Sequence, residues 1–450
     1  MPKRIVIVDP SLRDARGHHY ALTRRVTESI VHEGFEPIWL CHRDAAFTET
    51  GGAAVVPALS VSLYDAYHQS RLRRAVPQRL RRPAKTLAGI IRRQWQRRGN
   101  GKKHPAAHER LAADLEGALD ALGLSSEDRL LFHTADGQTY AAVDLVLRSS
   151  DANELPRVHI CTPYDPAGIM PNQVADLPIQ RCIDRWRDLG LLASRLHLYA
   201  ENPVLAEHLS ALWRARVLPL ELPAIPINQE GMVQDVAWPG ADRATPLKVV
   251  HLGPARAEKG FHHLPEIIEG CLGAIESGRR RPVPVSFVIQ CSPQITGYTP
   301  PIAKAIERLK QFPDGLVRLL DQTLSDTSYG SWLGSSDLVL LPYGAREYGK
   351  RSSGIVAEAL SLGKIIVATA GTYPASMIGA GAGAFGATPS ELGRGIADIA
   401  GDPEPFRAGA AAAGLQYRLR NDPKAYIGKC LKAEEGDLEQ GPVRQPSHPA

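Results

Sequence analysis

Short apolar runs of strand length alternate with longer stretches of helical periodicity along this chain, and the alternation occurs in two successive series. This is the pattern of parallel sheets, whose strands are buried on both faces and joined by crossover helices. The first series has strand-like segments at residues 5–8, 36–40, 130–133, 157–161, 195–199 and 217–220. Helical runs lie between them at 20–33, where Ala21, Leu22, Val26 and Ile30 share one face, and at 108–122. A stretch rich in Pro, Gly and Gln at 219–246 then interrupts the pattern and reads as a linker. The second series follows at 247–252, 283–290, 317–319, 338–341 and 365–369, and helices at 392–400 and 403–420 close it. Thr388-Pro389-Ser390-Glu391 has the N-cap, N1 proline and N3 glutamate of a helix start. The expected fold class is therefore α/β, with two doubly wound Rossmann-like domains facing a cleft.

At 450 residues the chain is too long for one ordinary core, and 44% hydrophobic with 22% charged residues suits a globular protein. Six cysteines (41, 161, 182, 271, 291 and 430) are scattered singly, with no pair at metal-site spacing. That excludes a disulfide framework or zinc knuckle and points to a reducing cytosol. The first residues read as a buried strand and not a signal peptide, and no apolar run approaches the roughly 20 residues of a membrane span.

The segment 346–372, REYGKRSSGIVAEALSLGKIIVATAGT, carries the most chemistry. A turn, Lys350-Arg351-Ser352-Ser353-Gly354, feeds an apolar helix and then a strand. Small residues entering a helix leave backbone N–H groups free, and with the helix dipole these attract phosphate; Arg351 adds a fixed charge. Glu358 is a carboxylate in an otherwise apolar helix and requires a partner. The hydroxyls of a ribose would serve, and so would an ion pair with a nearby Arg or Lys.

Further fragments accompany this segment in order. They are His251-Leu-Gly-Pro-Ala-Arg-Ala-Glu-Lys-Gly260-Phe, Ser335-Ser-Asp-Leu-Val-Leu-Leu-Pro-Tyr343, the Ser-Gly…Glu-Ala helix, and Ala370-Gly371-Thr372. Upstream are Asp9…Gly17-His18-His19-Tyr20 leading into a helix, and Glu201-Asn-Pro-Val…Val217-Leu-Pro…Ile225-Pro226. Together, over about residues 3–420, they resemble the GT-B glycosyltransferases and specifically glycosyltransferase family 4. The resemblance implies that Arg256 and Lys259 hold a donor diphosphate and take part in catalysis. It implies that Ser352, Ser353 and Gly354 offer donors to the same phosphates and that Glu358 binds ribose. It places His133 near the reacting sugar, and Gly17 and His18 in an acceptor-side glycine loop. Read from the residues alone, a solvated turn charge is the alternative for Arg256 and a hydrogen-bonded structural group the alternative for His133. In domain terms the resemblance gives an acceptor-side domain at 1–228 and a nucleotide-sugar domain at 229–402. A C-terminal helix at 403–431 would pack back toward the first domain, and 432–450 read as a disordered tail.

Two departures stand out. The family's first glutamate of E-x7-E falls at Lys350, and the arginine normally following the strand glycine is Pro254, with Arg256 two residues on. No D-x-D occurs, and no G-x-G-x-x-G follows the first strand. The glycine run at 379–386 reads as a turn and not as a dinucleotide site.

Residues 71–103 hold 13 Lys and Arg and no acid; without them the net charge of +5 becomes −8 for the rest of the chain. Within the run, Leu87, Ile90, Ile91 and Trp95 fit one helical face. Such a helix suits an anionic membrane surface, with a solvated insertion as the plain alternative; nucleic acid is the disfavoured polyanion. The sequence thus leads to transfer of a sugar from a nucleotide-sugar to a glycan or glycolipid acceptor in surface glycan assembly. Retention of configuration, no metal and no cofactor beyond the nucleotide-sugar co-substrate are implied by the resemblance. The location expected is the cytoplasm, with peripheral attachment to the inner face of the membrane. A GT-B-like scaffold that has lost transfer, and a nucleotide-sugar epimerase, are the rival readings.

Overall fold

A computed structural model describes residues 3–15, 17–47, 49–62, 105–149, 151, 153–166, 179–225, 246–278, 282–293, 297–379 and 381–436. The basic run at 71–103, most of the linker, with the expected boundary at 228/229, and residues 437–450 lie outside these. Two compact units divide the chain.

The first unit comprises Met1–Ala15, Gly34–Thr162 and Ile169–Leu198. In chain order the first half of the protein runs β1 (Arg4–Asp9), α1 (Gly17–His32), β2 (Glu36–His42), β3 (Ala54–Leu59) and α2 (Ala107–Leu122). There follow β4 (Arg129–Phe132), α3 (Gly137–Ser149), β5 (Arg157–Thr162), α4 (Ile179–Asp188), β6 (Leu196–Ala200), α5 (Pro203–Trp213) and β7 (Val217–Pro219). The strands form a seven-stranded sheet in the order β3-β2-β1-β4-β5-β6-β7. The registers of β1 with β2 and β4, of β2 with β3, and of β4 with β5 are all parallel. Central strands are apolar along their length because helices cover both faces: Val6, Val8, Trp39 and Phe132 have no exposed surface. The direction of winding reverses between β1 and β4, so their carboxyl ends, at Asp9 and His133, flank the topological switch point. Strand β3 was not legible in the sequence; it contains Pro57, which the ladder accepts because β3 is an edge strand.

The second unit takes Arg16–Glu33, Pro163–Gly168 and the chain from Tyr199 on, so helix α1 belongs to it. Its elements continue as β8 (Leu247–His251), α6 (Leu264–Ser277), β9 (Val285–Gln290), α7 (Pro300–Leu309), β10 (Val317–Leu320), α8 (Asp326–Gly334) and β11 (Leu338–Leu341). Then come α9 (Ala345–Tyr348), α10 (Gly354–Ser361), β12 (Ile365–Thr369), α11 (Tyr373–Ser376), β13 (Gly383–Gly386), α12 (Pro389–Gly401), α13 (Pro403–Arg420) and α14 (Tyr426–Glu435). The sheet order is β10-β9-β8-β11-β12-β13, again parallel with a switch, here between β8 and β11. Helix α12 begins with the expected capping box: Thr388 Oγ1 accepts from Glu391 N at 3.3 Å, and Glu391 Oε2 accepts from Thr388 N at 3.3 Å.

The glycine run departs from its reading as a turn. Gly381 turns with φ of +77°, but Gly383–Gly386 is the edge strand β13. A Cβ at Gly383 would lie 1.9 Å from the Ile366 carbonyl oxygen, so glycine is what lets this strand approach β12. Helix α13 packs on α10, whereas the last helix meets α1: Ser29 Oγ donates to Lys424 O (2.9 Å) and accepts from Ile427 N (2.8 Å). Helix α14 continues through Lys432 to Glu435, past the expected start of the tail.

Candidate functional site

Two loops leave the carboxyl ends of β8 and β11, on either side of the second sheet's switch point. After β8, Gly253 has φ of +111°, and its N–H donates to Gln290 Oε1 at 2.7 Å. A Cβ there would stand 2.8 Å from Lys259 Nζ, so the glycine makes room for the ammonium. Lys259 Nζ lies 5.7 Å from the centre of the Tyr343 ring, which follows β11. Gly260 (φ +68°) turns the chain where a Cβ would overlap the Pro342 carbonyl oxygen at 1.7 Å, and this pins the two loops together. Burial, and then the charges of Arg256 and Arg351, push the Lys259 ammonium down to about 8. Three cations thus crowd one place. Arg256 has Glu258 Oε1 at 3.8 Å, and its buried Nε has no protein partner.

The turn before α10 supplies the other wall. Arg351 lies over the Tyr348 ring at 5.1 Å, Tyr348 packs on Tyr343 with centroids 4.3 Å apart, and Tyr343 Oη is 3.4 Å from Ser353 Oγ. Asn202 fixes the turn. Its Oδ1 caps α5 by accepting from Leu205 N (2.8 Å), while its Nδ2 donates to Lys350 O (3.0 Å) and Ser352 Oγ (2.9 Å). Asn202 is fully buried. Its N-cap role is readable from Asn202-Pro203, but its grip on a turn far along the chain is not. Lys350 is engaged as well: Nζ lies 3.2 Å from His208 Nδ1 and 3.6 Å from Asp165 Oδ2, and His208 Nε2 meets Asp165 Oδ2 at 2.9 Å. Lys350 therefore ties the turn to α5.

Glu358 sits one turn into α10. Tyr329 Oη of α8 donates to Oε2 at 2.7 Å, and Arg25 of α1 lies 3.5 Å from Oε1 while also donating to Pro223 O at 3.0 Å. Burial raises the carboxyl above its ordinary range, opposed by Arg25 and by the Tyr329 hydrogen bond. The ion-pair partner left open by the sequence is thus Arg25, with Tyr329 beside it. Glu201, quoted above only as part of the approach to the linker, also borders the turn: its carbonyl accepts from Ser352 Oγ at 3.3 Å.

The second unit therefore brings together Arg256, Lys259, Arg351, Ser352, Ser353, Gly354 and Glu358. Gly17 opens α1 in the same unit; the side chain of His18 lies outside the described residues. His133 belongs to the first unit, fully buried after β4, with Nε2 3.6 Å from Asp9 Oδ2 and Nδ1 3.0 Å from Thr134 Oγ1. Asp9, which also accepts from Ser11 N at 2.9 Å, was not singled out from the sequence as a partner of His133.

No family model matches the sequence, and no curated protein matches it. Solved structures do. A UDP-forming trehalose-phosphate synthase from Burkholderia xenovorans, in complex with glucose-6-phosphate, aligns with a TM-score of 0.64 at 12% identity, over 96% of this chain and 100% of that one. A trehalose-6-phosphate protein from E. coli bound with UDP-2-fluoro glucose gives 0.61 at 14% identity, over 97% and 100%. The sucrose-phosphate synthase of Thermosynechococcus elongatus gives 0.60 at 12% identity, over 97% and 100%. The class this defines is one of fold: the chain has the GT-B type of α/β architecture, with two Rossmann-like domains built on parallel sheets.

Proposed function

We propose that this chain is a glycosyltransferase of the GT-B class, similar to family 4, that moves a sugar from a nucleotide-sugar donor to an acceptor. The observation that carries the reading is the gathering of Arg256, Lys259 and Arg351 beside the Ser352–Gly354 turn at the switch point of the second sheet. Cations gathered at one place favour an anion joining them, and a nucleoside diphosphate supplies one. Its β-phosphate, as leaving group, gains charge in the transition state, so the same cations stabilise departure. The leaving phosphate can then take the acceptor proton, which needs neither metal nor carboxylate pair and retains configuration. Glu358 is assigned the ribose and His133 the reacting sugar. The acceptor is assigned to surface glycan or glycolipid assembly, and sugar phosphates belong in the acceptor panel because the Burkholderia neighbour carries one.

Charge-assisted hydrogen bonds contribute about 1.5–3 kcal/mol each. Arg256→Ala and Lys259→Ala are therefore expected to weaken nucleoside diphosphate binding about 10- to 100-fold by calorimetry. Unchanged affinity in both would remove them from the site. The scaffold reading keeps a place because both carboxylate oxygens of Glu358 and the ammonium of Lys350 are engaged within the protein. Thermal stabilisation by nucleotide-sugars, without turnover on any glycolipid or sugar phosphate acceptor, would favour it.

A further inference from the structure

The carboxyl end of the first sheet carries polar groups that the reading above uses only through His133. The loop leaving β1 runs along this rim and is stitched at each step. Leu12 N donates to Asp9 O (3.2 Å), His42 N to Leu12 O (3.3 Å) and Ala46 N to Arg13 O (3.0 Å). Arg13 is exposed, and its Nη2 meets Nε2 of His42, the last residue of β2, at 3.0 Å. His42 itself is only 4% exposed. Asp44 approaches the other ring nitrogen, with its backbone N 3.1 Å and its Oδ2 3.4 Å from Nδ1. A guanidinium can only donate, so Nε2 accepts and the ring proton sits on Nδ1, facing the Asp44 carboxylate. Arg13 therefore rests on a neutral partner. Among the described residues no carboxylate lies within ion-pair reach of it, and its side chain makes no other hydrogen bond. A fixed charge held by one nitrogen keeps the rest of its fork for an anion.

We propose that Arg13 is a phosphate receptor on the acceptor side: its guanidinium binds a phosphate group carried by the acceptor, and His42 is the positioning residue that holds it there. This rests on the glycosyl-transfer reading. Ligands of open α/β sheets bind beyond the carboxyl ends of the strands at the switch point, and Asp9, four residues before Arg13, meets His133 across it. Charge points the same way. Ser11 Oγ lies 3.1 Å from Ser62 Oγ, and Ser62 is the last described residue before the stretch that contains the 13 Lys and Arg of 71–103. The most basic part of the chain is thus rooted at this rim, and charge of one sign steers anions toward it. A free sugar phosphate and a lipid phosphate share the chemistry that Arg13 reads.

The test is calorimetry of the full chain with inorganic phosphate, glucose 6-phosphate and farnesyl phosphate, each with and without saturating UDP. Arg13→Ala is expected to weaken phosphate binding about tenfold or more, through lost charge-assisted bonds, and Arg13→Lys to recover part of it. His42→Gln keeps an acceptor near the place of Nε2 and is expected to bind as the wild type does. His42→Leu removes the acceptor and is expected to bind several-fold more weakly, with thermal unfolding as the check that it folds. Tighter binding of glucose 6-phosphate than of farnesyl phosphate assigns a free sugar phosphate, and the reverse order a lipid phosphate. Failure of the wild type to bind any of the three, equal affinity in Arg13→Ala, or displacement of the bound phosphate by UDP would overturn the proposal. If UDP does not bind while Arg13 still governs phosphate binding, the transfer reading fails and the phosphate site stands. If UDP binds through Arg256 and Lys259 while Arg13→Ala changes nothing, only the assignment of Arg13 fails.

Discussion

A carboxylate largely withdrawn from water needs partners from somewhere, and Glu358 has a hydrogen bond from Tyr329 and an ion pair with Arg25 within the protein. A ribose must therefore share Oε2 with Tyr329 or displace it. Tyr329→Phe frees that oxygen and is expected to leave ribonucleotide affinity equal or up to about tenfold higher, whereas Glu358→Gln lowers it by a similar factor. Calorimetry with a ribonucleotide and its 2′-deoxy form checks this; equal binding of the two by the wild type would leave Glu358 as the partner of Arg25 alone. The sequence showed that Glu358 must have a partner, because its helix neighbours are apolar. It could not name Arg25 or Tyr329, since neither lies at a helical spacing from it.

At the level of elements, most of what positions the site was legible, because parallel strands are continuous apolar runs and helix starts carry capping residues. Among the strands the exceptions are β3 and β13, which contain proline and glycine; both survive as edges. The coupling of α5 to the Lys350–Gly354 turn through Asn202 was not legible, because only folding brings them together. Asn202→Asp separates its two duties. The aspartate still caps α5 through Oδ1, but it offers no donor to Lys350 O. The buried carboxylate then faces the Lys350 carbonyl, so stability is expected to fall by about 1–3 kcal/mol or more in thermal unfolding, while nucleoside diphosphate affinity drops several-fold. A variant that binds normally would show that the turn holds its shape without this tie.

For the whole molecule, the order of two α/β series was enough to foresee two parallel sheets, since topology follows from connection rules more than from individual residues. No helix among the described residues is long and apolar enough to cross a membrane. The basic run at 71–103, outside those residues, is where surface attachment is proposed. Each basic residue near an anionic bilayer contributes about 1 kcal/mol, screened within a Debye length of about 8 Å. Flotation with vesicles is expected to require anionic lipid, to weaken with salt and to drop when Arg92, Arg93, Arg97 and Arg98 become glutamine, with a blue shift of Trp95 emission. Equal binding to neutral vesicles, or none at low salt, would identify the run as a solvated insertion. A different consequence follows from α1. This early helix carries the arginine that answers Glu358 and the serine that seats Lys424 and Ile427. No single cut in the chain therefore releases the second unit intact. A fragment beginning at Tyr199 would leave Glu358 without Arg25, and a fragment ending there would carry α1 without its contacts to Lys424 and Ile427. The boundary between the units thus crosses the chain more than once, and a chain cut at Tyr199 is expected to unfold at lower temperature than the whole protein.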